Sequence, residues 1–144
     1  GLPPRRLVLE LTERSVAADQ DRTVESTGRL RALGVRLAID DFGVGHASLA
    51  RVADIPFDFL KLDRSLISGV DGNARHRAVV AAAVGLGRVL GSRVIPEGIE
   101  TQAELAAVAE LDCRLGQGFL FGRPQTIDEL AGLLSADGAM RVAS

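Results

Sequence analysis

Val35-Arg36-Leu37-Ala38-Ile39-Asp40-Asp41-Phe42-Gly43-Val44-Gly45 decides how this chain is read. An apolar run from Leu37 to Ile39 stops at two adjacent carboxylates, and two glycines follow around Val44. A buried strand running into a tight turn has this pattern. In a parallel α/β sheet, ligands gather at the carboxyl ends of the strands. Two acids there resist joint ionisation, and a divalent cation relieves that repulsion.

The same rhythm extends in both directions. Leu7 to Leu11 reads as a buried strand ending near Thr12-Glu13. Residues 20–33 place Val24, Thr27, Leu30 and Leu33 on one helical face, with Gly34 as the stop. The strand at 35–41 follows, then a short helix over 47–53 ended by Pro56. Residues 57–63 form the next strand and 74–90 a long helix closed by Gly91. Arg93 to Glu97 is a fourth strand. Thr101 to Glu104 has capping-box spacing and opens a helix to about Leu111. A glycine-rich fifth strand is expected over 115–121. A second capping box at Thr126 to Glu129 opens a helix to Leu134. Strands alternating with helices imply parallel pairing, so the fold class is α/β, about five βα units in one domain. A tail is expected over 136–144, small and polar enough to fray.

Composition narrows the function. The chain has 144 residues and a net charge of -2, without the basic surface that DNA or RNA requires. It holds five Phe and neither Tyr nor Trp, so no stacking platform for single strands is evident. One cysteine, Cys113, permits no internal disulfide and suits a reducing, cytoplasmic setting, either free or as the cytosolic part of a larger, membrane-anchored protein. No apolar run approaches the roughly 18 residues of a membrane span.

Polar residues finish each strand: Glu10, Asp40 with Asp41, Lys61 with Asp63, Glu97, and Gln117. Strand alternation puts Glu10, Asp40, Lys61, Glu97 and Gln117 on the faces shared with Val8, Ala38, Phe59, Ile95 and Leu115. Asp41 has the opposite parity and reaches in only from the turn. Oxygen ligands favour Mg²⁺ or Mn²⁺ over zinc, and only two His are available. Two such cations suit phosphoester hydrolysis, with Lys61 neutralising developing charge and Glu97 accepting a proton. Structural uses compete. Lys61 has Asp63 and Asp58 as nearby partners, Gln117 fits a satisfied core amide, and Glu100 fits the first turn of a helix.

The ordered motifs Glu10-Leu11-Thr12-Glu13, Asp40 to Gly45, Leu60-Lys61-Leu62-Asp63-Arg64-Ser65, Pro96 to Thr101 and Gly116 to Pro124 resemble those of the EAL domain. That family comprises bacterial cyclic di-GMP phosphodiesterases on a modified TIM barrel. The resemblance implies that Glu10 and Asp40 ligate metal, with Asp41 on a second metal. Lys61 would contact the catalytic water or a metal-bridging group, and Glu97 would be general base or water ligand. Asp63 and Gln117 would support the metal and water network. Glu13 and Glu100 would act from behind, Glu13 steadying the loop 42–48, which in the family links catalysis to dimerisation. The product would be linear pGpG. The implied partners are cyclic di-GMP and either a second copy or the rest of the domain.

The barrel takes about 250 residues, so the resemblance covers a C-terminal portion, residues 1–135, unable to close a barrel alone. The Glu-Ala-Leu signature and an Asn on a following strand, both metal ligands in the family, are not found here, so the segment itself is expected to be weak or inactive. Val44 and His46 stand where the family usually has Thr and Tyr, and Pro96 where Ala is usual. A non-catalytic module that binds cyclic di-GMP or a protein is the competing expectation.

Overall fold

The computed structural model describes residues 1–12, 15, 20–44 and 52–137. Four strands form one parallel sheet in sequence order. They are β1 (Val8–Thr12), β2 (Arg36–Phe42), β3 (Phe59–Leu62) and β4 (Arg93–Pro96). The helices are α1 (Gln20–Ala32), α2 (Arg64–Ile67), α3 (Ala74–Val89), α4 (Gln102–Glu110) and α5 (Ile127–Asp137).

The central strands carry the core. Leu37, Ile39, Leu60 and Leu62 are wholly buried and cluster with Val80 and Ala83 of α3 and with Ala107 and Val108 of α4. Alternation then turns Ala38, Asp40, Phe59 and Lys61 to the opposite face. β3 is buried at every position, as a strand covered on both faces should be. Asp58 locks the strand entry: its Oδ2 accepts from Leu37 N at 2.9 Å, and its Oδ1 lies 3.5 Å from Arg31 Nη2. It is therefore not a partner of Lys61.

Two expectations are corrected. β1 is half-exposed rather than buried, because among the described residues it pairs only with β2 and sits at the sheet edge. The fifth strand over 115–121 does not form. That segment instead bonds irregularly to the chain after β4: Gln117 N donates to Pro96 O, Ile99 N to Gln117 O, and Leu120 N to Ile99 O. Gly116 and Gly118 explain this, since both press onto Ile99, Gly118 onto its backbone where no side chain fits. The sheet is thus not closed.

The helix ends follow their caps. Thr101 and Glu104 form the expected capping box, and Thr126 and Glu129 exchange the second. α5 runs on to Asp137, beyond the expected end at Leu134. Most of the expected helix over 47–53, and the tail beyond Asp137, lie outside the described residues. No helix among the described residues is long and apolar enough to cross a membrane.

Two glycines in α3 give a test of close packing. A methyl at Gly85 meets nothing, whereas one at Gly87 would press on Val94 Cγ2 at 2.9 Å and Ser92 O at 3.1 Å. Gly85→Ala should stabilise the chain by up to about 1 kcal/mol in urea unfolding, from helix propensity. Gly87→Ala should destabilise it by about 1–3 kcal/mol through overpacking.

Candidate metal and phosphodiester site

The sheet brings its polar strand ends to one point. Lys61 Nζ lies 2.9 Å from Glu10 Oε1, 2.9 Å from Asp40 Oδ1 and 2.8 Å from Glu97 Oε1. The lysine stands on a central strand, and its side chain is only 8% exposed. Glu10, Asp40 and Glu97 come from β1, β2 and the residue after β4, in line with strand alternation. Burial works to lower the Lys61 pKa, but the bonds to Glu97, Asp40 and Glu10 outweigh it and hold the ammonium above the ordinary lysine range.

One ammonium does not satisfy three carboxylates. Burial raises the Glu97 pKa above the usual glutamate value, and Asp40 and Glu10 add to the rise. The Lys61 bond opposes the shift without cancelling it. Asp40 Oδ1 is buried and, despite its 2.9 Å ionic contact with Lys61, lacks a well-directed hydrogen bond. A buried carboxylate oxygen left so is a position suited to a cation.

Asp41 enters by a route that strand parity does not give. β2 pairs Ile39 with Leu60 but Phe42 with Leu62, so β2 carries one extra residue over this span. The bulge falls at Asp40-Asp41, and Asp41 takes a left-handed φ of 56°. Aspartate tolerates that conformation better than most residues. Asp40, Asp41 and Glu97 each then offer an oxygen within 4.8 Å of the others. This all-oxygen donor set fits a hard divalent cation.

Other expected site residues stand further out. Asp63 caps α2, accepting from Ser65 N at 2.8 Å, and its bonds from Ser65 hold its pKa below the usual aspartate value. Gln117 is exposed. Glu100 pairs with Arg64 Nη2 at 3.0 Å. Glu13 lies outside the described residues. Cys113 is buried, its thiol pushed up to about 11, which leaves no thiolate nucleophile at neutral pH. Two further residues shape the surroundings of the site. Arg64 was visible within its motif, but its ion pair with Glu100 joins segments 36 residues apart. Glu104, noted only for its cap, is buried and accepts from Gly69 N, Glu100 N and Thr101 N. It pins the loop that follows Glu97.

Comparison with known proteins agrees with this geometry. Residues 1–124 match the EAL domain family model. The chain is 40% identical over 136 residues to the cyclic di-GMP phosphodiesterase NbdA of Pseudomonas aeruginosa, covering 94% of this chain and 17% of that protein. The structure of the MucR phosphodiesterase from the same organism, in complex with c-di-GMP, superposes with a TM-score of 0.83 at 39% identity. That match covers 90% of this chain and 52% of the MucR chain. Klebsiella pneumoniae BlrP1, crystallised with manganese and cyclic di-GMP, gives a TM-score of 0.81 at 36% identity, over 86% of this chain and 32% of its own. The chain thus spans less than a fifth of NbdA and about half of the solved MucR domain. The open parallel sheet, the converging carboxylates and these matches together make the chain a member of the EAL domain family, corresponding to the C-terminal portion of that domain.

Proposed function

We propose that an EAL domain containing this chain hydrolyses cyclic di-GMP to linear pGpG with two divalent cations, Mg²⁺ or Mn²⁺. The observation that carries this reading is the gathering of Glu10, Asp40, Asp41 and Glu97 beside the buried Lys61 ammonium. The names of NbdA and MucR and the manganese complex of BlrP1 support the substrate and the metal requirement. The reading places the domain in the cytoplasm, as a homodimer or completed by the N-terminal part of the domain.

Glu10, Asp40 and Asp41 would hold the cations. When bound, such cations supply Lewis acidity at phosphoryl oxygens and make water more acidic. The remaining work falls to the chain. Glu97 receives the proton of the attacking water. The water oxygen bonds to phosphorus as the bond to the ribose 3′ oxygen breaks; that oxygen takes up a proton from solvent to become the 3′ hydroxyl, which leaves the 5′ phosphate of pGpG. Lys61, relieved of its carboxylates, turns its ammonium to the charge developing on the phosphoryl oxygens. Asp63 and Gln117 would support the metal and water network, as the family resemblance implies. Glu13 and Glu100 act from behind, on the neighbouring loops.

Release of pGpG in Mn²⁺ tests this reading. In a complete EAL domain containing this chain, Glu97→Gln should lower kcat about 10²- to 10⁴-fold, the range for a lost proton-transfer group, and Lys61→Ala about 10²- to 10³-fold, the range for a lost charge-stabilising donor. The isolated 144 residues should release little or none, because the Glu-Ala-Leu carboxylate is not among them. Tight cyclic di-GMP binding without cleavage by the complete domain would make it a receptor instead.

Glu97 also sets a pH dependence in the metal-free chain. Its folded pKa lies above the ordinary value, so between the two values the folded state holds the extra proton. Stability should therefore fall as pH rises through that window and level off above it. Glu97→Gln should flatten this slope in urea unfolding with EDTA, measured upward from pH 4.5.

A further inference from the structure

Arg64 lies at the rim of the site, three residues beyond Lys61, and no role for it follows from the chemistry above. Its stem runs directly over Gly98, the residue after Glu97. Any side chain at Gly98 would overlap the Cβ, Cγ and Cδ of Arg64. Gly98 takes a φ of 70°, which glycine adopts freely. The guanidinium ends 3.0 Å from Glu100 Oε1. Glu100 is itself held from behind, its N–H donating to Glu104 Oε2 at 2.9 Å, and Glu104 Oε1 accepts from Gly69 N at 3.0 Å. The chain has thus built a seat that aims an arginine across the segment carrying Glu97.

Stability does not account for that seat. The side chains of Arg64 and Glu100 are 59% and 39% exposed, and an ion pair so open to water contributes little to folding. For the same reason the guanidinium is released from Glu100 at little cost. An exposed arginine with a planar fork, beside a phosphodiester-cleaving centre, has an obvious alternative partner in a phosphate oxyanion.

We infer that Arg64 is a substrate-binding residue that exchanges Glu100 for a phosphodiester group of the cyclic dinucleotide. Glu100 holds it ready when no substrate is bound and competes with substrate for it. This inference rests on the proposed cyclic di-GMP reading. A cyclic dinucleotide carries two phosphodiesters. Arg64 takes the one that is not being cleaved, while the other meets Glu97 and Lys61.

Competition gives the two partners opposite signatures. Binding of cyclic di-GMP is measured by calorimetry in Ca²⁺, which shares the oxygen preference of Mg²⁺, with a complete EAL domain containing this chain. Arg64→Ala should weaken binding about tenfold, the loss of a charge-assisted bidentate contact, and Arg64→Lys should recover part of it. Glu100→Gln should tighten binding about threefold, because it removes the internal competitor. A purely structural ion pair predicts that Arg64→Ala and Glu100→Gln shift Kd in the same direction, and that result overturns the inference. Unchanged binding in Arg64→Ala overturns it too. Should Arg64→Ala fail to fold, Glu100→Gln decides alone: tighter binding supports the exchange, and equal or weaker binding refutes it. Wild-type protein that does not bind the dinucleotide removes the cyclic di-GMP reading itself, an outcome distinct from wild-type binding with indifferent variants.

Discussion

One buried ammonium facing three carboxylates is the constraint on which this structure turns. Lys61 is placed by a strand buried on both faces, so its position is set by the core. Glu10, Asp40 and Glu97 then close around it from three other segments. Asp41 lies in the same oxygen cluster as Asp40 and Glu97, so four carboxyl groups gather beside a single ammonium. Burial raises the Glu97 pKa, and the neighbouring Asp40 and Glu10 carboxylates add to that rise against the opposing bond from Lys61. A fold gains nothing in stability from such an arrangement. Under the proposed function, bound cations would supply the balancing charge.

The bulge on β2 is the second device. Regular alternation would send Asp41 to the face opposite Asp40. One extra residue and a left-handed backbone bring both carboxylates to the same end of the sheet. Backbone strain of order 1–2 kcal/mol at a non-glycine residue in that region is consistent with a functional position. The adjacent glycine serves the same turn. Gly43 has a φ of 107°, and a side chain there would collide with Leu66.

The sequence revealed the site more fully than it revealed the sheet. Period-two alternation was enough to align Glu10, Asp40, Lys61 and Glu97, because buried strands obey it closely. The same rule mispositions Asp41, since a bulge leaves no mark in residue pattern beyond an Asp-Asp pair before glycine. The apolar run Leu7 to Leu11 does not disclose that β1 has a neighbour on one side only; burial there depends on tertiary position. Leu115 to Phe121 looks like a strand by its hydrophobicity, but its glycines serve close approach to Ile99. Arg64 could not be assigned because its partner lies across the sheet end, where sequence neighbours carry no information.

These points locate the weakest member of the site. The side chains of Asp40 and Glu97 are 20% and 18% exposed, while that of Glu10 is 48% exposed. Water therefore screens the attraction of Glu10 for Lys61 more than that of the other two. Glu10 also rides on β1, whose backbone is bonded along one edge alone. Asp40 belongs to a strand bonded along both edges, and the loop of Glu97 is pinned by Glu104. Precision of the site therefore declines from Lys61 and Asp40 outward to Glu10. The carboxylate geometry at Glu10 is the part of this centre that a neighbour along β1 would change most.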